Sequence, residues 1–150
     1  MIENILLHQE VKESEAFEIA IERLKEVGIP NPEESMNRYS WELSGGLRQR
    51  AMIGMALTCN PSLLIADEPT TAIDVTTQAQ VLNLIRDLQQ KNKMSIIFIT
   101  HDLGVIAQLA DDVIVMYLGQ IMEKGTVDEI FHNPKHPYTQ LLIDSIPEAD

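Results

Sequence analysis

The hydrophobic residues of this chain follow two patterns, one with helical spacing and one of short unbroken runs. The first helical pattern covers residues 14–27, with Ser14 as the expected N-cap. A second begins at Thr76 or Thr77 and continues to about Lys91. Its apolar positions are Val81, Leu82, Ile85 and Leu88. Both segments are predicted to be amphipathic helices that bury one face.

Two short segments, residues 63–66 and 95–99, have the length and flanks of buried strands, and their apolar residues form the unbroken runs 63–66 and 96–99. Asp67 and Glu68 follow the first run directly, and His101 comes just after the second. A helix between two parallel strands makes a right-handed βαβ unit, so the residues after each strand are expected at the same sheet edge. A solvated acidic turn and a structural histidine are the alternative interpretations.

A serine followed by two glycines precedes another helical segment. Ser44 can accept from the N–H groups of the first helical turn, and Gly45 and Gly46 leave that turn without side chains. Glycines weaken a helix by about 1 kcal/mol each, so this pair favours a site where an anion approaches the backbone. A plain serine N-cap is the alternative.

The C-terminal third predicts a hairpin and two helices. Strands at 113–117 and 120–124 are expected to join through Leu118-Gly119, and Thr126 is expected to cap a short helix. The last helix is predicted over 137–146. Its expected inward residues are Tyr138, Leu141, Leu142 and Ile146. Residues 31–38 are predicted to form a loop.

Composition narrows the function classes. The 150 residues suit one domain, and the 45% apolar fraction suits a globular core. No membrane span or signal peptide is expected from the apolar runs and the N-terminal residues. The formal charge of −12 argues against a nucleic-acid surface. The single cysteine, Cys59, allows no internal disulfide, suits a reducing compartment and is expected to be buried.

In this order and at these spacings, the motifs resemble those of the nucleotide-binding subunits of ABC transporters. Residues 43–50 resemble the signature motif, residues 63–68 the Walker B motif with its trailing glutamate, and residues 71–74 the D-loop. His101 resembles the switch histidine. The string from Leu64 to Ala72 and the tail His136-Pro137-Tyr138-Thr139 are similar to the oligopeptide/dipeptide (peptide/nickel) importer group.

The resemblance implies an α/β fold, a partial P-loop NTPase domain of the ABC type. A helical subdomain would accompany an incomplete, mainly parallel sheet, a C-terminal β-hairpin and helices. The expected divisions are 1–60 for the helical subdomain, 61–125 for a partial catalytic core and 126–150 for a C-terminal helical extension.

The resemblance also implies catalytic roles. Glu68 would act as general base or position the attacking water, and His101 would contact the γ-phosphate. Asp67 would hold magnesium through water. The implied cofactors are therefore ATP and Mg²⁺, and the implied activity is ATP hydrolysis.

Other implied roles belong to a head-to-tail pair of ATPase subunits. Ser44, with the backbone of Gly45 and Gly46, would grip the γ-phosphate of the nucleotide bound by the opposite subunit. Asp74 would lie at the interface between the subunits. Transmembrane permease subunits would be further partners and would hold the protein at the inner face of the cell membrane, in the cytoplasm. The implied function is to couple ATP hydrolysis to peptide import.

Two departures from the family pattern stand out. Leu47 occupies a position where many signature motifs have glutamine. The sequence also contains no Gly-Lys dipeptide and therefore no Walker A motif. We therefore expect a C-terminal part of the domain that hydrolyses no ATP alone, because ATP and Mg²⁺ need the Walker A half. Uncovered apolar sheet surface is expected to make it self-associate.

Two other functions fit the same motifs. A non-catalytic module could act in trans on a complete ATPase subunit. Half of a DNA-repair or chromosome-structure ATPase would share the signature and Walker B motifs. That class joins its halves through long heptad-patterned helices, whereas this chain has no sustained heptads and is strongly acidic.

Overall fold

The computed structural model describes residues 1–71 and 73–146, which fall into two compact units divided between Ile97 and Phe98. The helices and strands that begin in the first unit are α1 (Ile2–His8), α2 (Glu13–Glu26), α3 (Pro32–Ser35), α4 (Gly45–Ala56), β1 (Leu63–Asp67), α5 (Val75–Asn92) and β2 (Ser95–Ile99). Short 3-10 helices cover Ser40–Glu42 and Leu57–Cys59. Those of the second unit are α6 (Leu103–Leu109), β3 (Asp112–Tyr117), β4 (Gln120–Thr126), α7 (Val127–His132) and α8 (Pro137–Asp144).

The helical core of the first unit forms around α2, which packs against α1 and α4. Ile5 of α1 is buried with Ala16 and Ala20 of α2. The helices α2 and α4 approach closely at Gly54, where an added Cβ would lie 3.2 Å from Val27 Cγ2. On α5 the four predicted core residues, Val81, Leu82, Ile85 and Leu88, are all buried, which confirms that prediction.

Three predictions about helix starts and loops in the first unit were wrong. Lys12, not Ser14, occupies the N-cap position of α2, and it makes no side-chain cap bond. Asp74, not Thr76 or Thr77, caps α5, because its carboxylate can accept the Thr77 N–H. Residues 31–38 are not all loop, since Pro32 begins the short α3 at a first-turn position that suits proline.

The strands β1 and β2 pair in a short two-stranded parallel sheet. The prediction that both would be fully buried was wrong. Leu64 and Ala66 are buried in β1, whereas Leu63, Ile65 and, in β2, Ile97 are 46%, 61% and 47% exposed. Leu63, Ile65 and Ile97 are called the exposed strand residues below. Unbroken apolar sequence predicted a strand but not how many of its faces are covered.

In the second unit β3 and β4 form an antiparallel hairpin, as predicted. Asp112 pairs with Thr126 and Tyr117 with Gln120, with a bulge between Val115 and Met116. The turn places Leu118 at φ 47° and Gly119 at φ 77°. Consecutive positive φ angles match the twist of a two-residue hairpin.

The two helices that follow pack on this hairpin. Thr126 caps α7 as predicted, in a reciprocal capping box with Glu129. The inward face predicted for α8 was partly wrong: Leu141 is 67% exposed and Ile146 39%, whereas Thr139 is buried.

In the first unit, Cys59 is exposed, against the expectation of a buried thiol. The division at residues 60 and 125 stays a prediction.

Candidate functional site

Residues 44–46, called the signature turn below, open α4, and Ser44 is the N-cap of this helix, as predicted. Its Oγ accepts a hydrogen bond from the Leu47 N–H at 3.4 Å, and no acidic residue lies in the first helical turn. The 12-residue helix therefore presents first-turn N–H groups and the positive end of its dipole at an exposed serine. This arrangement suits a phosphate oxygen.

The two glycines of this turn have different surroundings. A Cβ placed on Gly46 would overlap the Thr77 Cγ2 methyl of α5, so packing between α4 and α5 is enough to explain glycine there. A Cβ on Gly45 would lie 3.5 Å from Ile73 Cγ2, an ordinary contact. The inference from glycine to an approaching anion therefore applies to Gly45 and is not needed for Gly46.

The Walker B carboxylates lie where the sequence placed them, at the end of β1. Asp67 is the last residue of the strand, and Glu68 follows in the left-handed region at φ 45°. Thr71 fixes this turn, since its N–H donates to the Glu68 carbonyl oxygen at 3.1 Å and its hydroxyl to Glu68 Oε2 at 2.8 Å. Thr70 beneath the turn is buried. The Glu68 carboxylate is therefore held in a defined direction.

The exposed Asp67 carboxylate offers the hard oxygen donors that Mg²⁺ prefers. Within residues 1–71 and 73–146, no three acidic, histidine or cysteine side chains cluster to enclose a metal. A magnesium ion held by Asp67 would therefore take its other ligands from water and phosphate oxygens, which is its usual mode with nucleotides.

Asp74 has a defined structural role. Its carboxylate accepts the Thr77 N–H at 3.0 Å and the Thr77 hydroxyl at 2.6 Å. The hydroxyl bond, with the backbone bond, lowers the pKa of Asp74 below its ordinary value and keeps the group ionised. In the D-loop string, Ala72 lies outside the described residues.

His101 follows β2 and is exposed in the second unit. The next residue, Asp102, caps α6 by accepting the N–H groups of Gly104 and Val105 at 2.9 and 3.2 Å. Glu68 belongs to the first unit, so the expected proximity of Glu68 and His101 stays a prediction.

Arg50 is a positioning residue that the sequence interpretation missed. It donates from Nη1 to the Val27 carbonyl oxygen at 3.0 Å and from Nη2 to Gln80 Oε1 at 3.4 Å. These bonds connect α4 to the end of α2 and to α5. The available signal was Gly28, which marks a helix end with unpaired carbonyl oxygens, and the cationic Arg50 on the next long helical segment, which could donate to them.

Family profiles match both ends of the chain. The profile described as "ABC transporter" matches residues 2–71. The profile described as "Oligopeptide/dipeptide transporter, C-terminal region" matches residues 122–150. The two cover the signature motif, the Walker B motif and the tail.

Curated relatives match almost the whole chain. It is 59% identical over 148 residues to the oligopeptide transport ATP-binding protein OppD of Bacillus subtilis, covering 99% of this chain and 41% of the relative. The AppD protein of the same organism is 56% identical over 148 residues, with 99% and 45% covered. The glutathione import ATP-binding protein GsiA of Shigella flexneri is 55% identical over 146 residues, with 97% and 23% covered. The chain thus spans less than half the length of each.

Solved structures of ABC transporter components share the fold. CbiO1 of Clostridium perfringens, part of the ABC transporter complex CbiONQ, has a TM-score of 0.72 at 27% identity over 85% of this chain and 50% of its own. A metal-chelate type ABC transporter in an inward-facing conformation has a TM-score of 0.80 at 23% identity, with 97% and 57% covered, and so supports the fold alone. The chain therefore belongs to the ATP-binding proteins of ABC transporters, and within them to the oligopeptide/dipeptide transporter group.

Proposed function

We propose that this chain forms the part of an importer ATP-binding subunit that carries the signature and Walker B motifs, and that the assembled protein couples ATP hydrolysis to peptide uptake. One observation carries this: the first unit combines an exposed serine-capped helix start at Ser44 with a carboxylate that Thr71 holds at the end of β1. The curated relatives are named as oligopeptide and glutathione import proteins, which supports peptide-like solutes and argues against a DNA-repair role.

The acidic residues after β1 would act on the phosphate chain of ATP. Glu68, with its direction fixed by Thr71, orients the attacking water and accepts its proton. Asp67 would hold Mg²⁺ through water, and that ion would supply positive charge beside the phosphate oxygens. His101 would contact the γ-phosphate from the end of β2.

The signature turn would act on nucleotide held by a second subunit. Ser44 and the N–H groups at Gly45 and Gly46 donate to γ-phosphate oxygens, so they bind best when two subunits are aligned head to tail. Asp74, ionised and exposed beside this turn, lies at the same interface. Ser44, Gly45 and Asp74 are exposed and can therefore meet another chain.

The remaining partners would be permease subunits in the membrane. Among residues 1–71 and 73–146, no helix is both long enough and apolar enough to span a bilayer. Association with permeases would hold the protein peripherally at the cytoplasmic face. Because the relatives are named for oligopeptide transport and glutathione import, small peptides are the candidate solutes.

A chimera tests the proposal. The matching region of B. subtilis OppD is exchanged for this chain, and ATP hydrolysis and oligopeptide uptake are measured with the other subunits present. Both activities should persist, and Glu68→Gln should lower hydrolysis by about 100-fold or more while retaining MgATP binding. Glu33→Gln, at an exposed glutamate of α3, is the matched control. A folded chimera without hydrolysis would contradict the proposal.

Calorimetry on the isolated 150-residue chain provides a second test. We expect no MgATP binding at micromolar concentrations, because the residues described here supply acids and one helix start but no lysine-bearing phosphate loop. Micromolar binding would show that the ATP site is built differently.

The alternative, a module that acts in trans without its own catalysis, is favoured by the exposure of Ser44 and Gly45. Adding the chain to a complete relative distinguishes the two. A change in hydrolysis that Ser44→Ala abolishes would support the module.

A further inference from the structure

The methyl and the hydroxyl of Thr77, on α5, make contacts with two different residues. Its Cγ2 methyl fills the space where a side chain on Gly46 would lie, at the start of α4. Its hydroxyl donates to Asp74 Oδ2 at 2.6 Å, and its N–H donates to Asp74 Oδ1 at 3.0 Å. One residue therefore contacts both the signature turn and the D-loop aspartate.

The stereochemistry of threonine connects these two contacts. The methyl and the hydroxyl are both bonded to Cβ, so rotation about χ1 moves them together. A rotamer change that broke the hydroxyl bond to Asp74 would also withdraw the methyl from Gly46. Ile73 lies close to the same turn, since a Cβ built on Gly45 would be 3.5 Å from Ile73 Cγ2.

We propose that Thr77 is a positioning residue that holds the signature turn in a fixed relation to Asp74, so that displacement of Asp74 is transmitted to Gly46. The inference rests on the proposed function, because it assigns a regulatory connection within that site. A donor from another chain that reached Asp74 Oδ2 would compete with the hydroxyl bond from Thr77. Loss of this bond frees the methyl and alters the first turn of α4.

Nuclear magnetic resonance on the 150-residue chain tests this directly. In the wild type we expect one dominant χ1 rotamer at Thr77 and nuclear Overhauser contacts from its methyl to the Gly46 α-protons. Asp74→Ala should produce rotamer averaging at Thr77 and shift the Gly46 amide signal. Asp102→Ala, which removes an equivalent aspartate cap from α6, should change neither. An unchanged Thr77 rotamer in Asp74→Ala would overturn the proposal.

Conservative variants separate the two contacts. Thr77→Val keeps a methyl and removes the hydroxyl, so the Gly46 amide should no longer respond when Asp74→Ala is added. Thr77→Ser keeps the hydroxyl and removes the methyl, so it should relieve the overlap caused by Gly46→Ala. A role limited to capping α5 would leave the Gly46 signal independent of Asp74 in every background.

Urea unfolding gives a readout that does not require assigned spectra. Gly46→Ala should lower the midpoint concentration, and Thr77→Ser in the same chain should restore at least about half of the loss. Thr76→Ser, one residue earlier on the exposed surface, should restore nothing. Equal rescue by both serine variants would contradict the inference.

These experiments use no nucleotide, so the two hypotheses can fail separately. Thr77 coupling without hydrolysis by the OppD chimera would reject only the proposed function. An active chimera without Thr77 coupling would reject only this inference.

Discussion

Arg50 Nη1 donates a hydrogen bond to the Val27 carbonyl oxygen at 3.0 Å, joining the helix that follows the signature turn to the end of α2. Arg50→Ala should lower the free energy of unfolding by about 1–3 kcal/mol, because a charge-assisted bond is lost and a partly buried carbonyl loses its partner. Urea denaturation measures this. Arg48→Ala, at an exposed position on the same helix, should change stability by less than about 0.5 kcal/mol.

Gly45→Ala should separate ligand binding from stability. The added methyl would make only an ordinary contact with Ile73, and alanine is a better helix former by up to about 1 kcal/mol, so the unfolding free energy should hold or rise. Hydrolysis by the chimera should fall because the methyl narrows the approach of a phosphate to the backbone. Unchanged hydrolysis would show that Gly45 is not part of the nucleotide site.

Glu26 should make stability depend on acid pH. Burial acts to raise the pKa of Glu26, but hydrogen bonds from Lys91 and Arg23 outweigh it and lower the pKa below its ordinary value of 4.5. The distances are 2.7 Å to Lys91 Nζ and 2.6 Å to Arg23 Nη1. Because the folded-state pKa is the lower one, the stabilisation is complete above pH 4.5 and is lost as pH falls through the folded-state value.

The measurement is the unfolding free energy of wild type and Glu26→Gln at several pH values. The advantage of the wild type should shrink steadily below pH 4.5. Lys91→Met should weaken this dependence, whereas Lys25→Met, an exposed cation beside Glu26 in sequence, should leave it intact. A constant difference between wild type and Glu26→Gln at all pH values would show that the ion pairs contribute nothing.

The exposed strand residues should make the isolated chain associate. Apolar side chains at Leu63, Ile65 and Ile97 leave water when two such surfaces meet, at roughly 25 cal/mol per Å². The double variant Ile65→Thr/Ile97→Thr keeps β-branched residues and should reduce association in light scattering. Leu7→Gln, at a 78% exposed leucine of α1, is the control. A monomeric wild type at micromolar concentration would exclude self-association.

Helix caps, turns and amphipathic spacing could be predicted because they depend only on residues close together in the sequence. The Ser44 and Thr126 caps, the α5 core stripe and the Leu118-Gly119 turn all followed from short spacings. The cap of α5 was missed because several cap-forming residues compete at that point. Asp74 is the N-cap, and Thr77 fills a role in the first turn instead.

Burial was harder to predict because it depends on elements distant in sequence. The alternating exposure of β1 and the exposed Leu141 cannot be read from apolar runs, which look alike when one or both faces are covered. For the candidate site, the sequence predicted candidate residues but not the contacts that hold them in place. The Thr71 hydroxyl bond to Glu68 depends on the local turn conformation, and the methyl of Thr77 beside Gly46 depends on tertiary packing; neither was predicted.

The hairpin tip has a practical consequence for labelling. Leu118 is 84% exposed, and a Cβ on Gly119 would meet nothing within 4 Å. Exposed tips of this kind tolerate inserted sequence well, since few contacts are interrupted. A short peptide tag or a fluorophore attachment site between residues 118 and 119 would report on the second unit while leaving the signature turn and the Walker B strand unmodified.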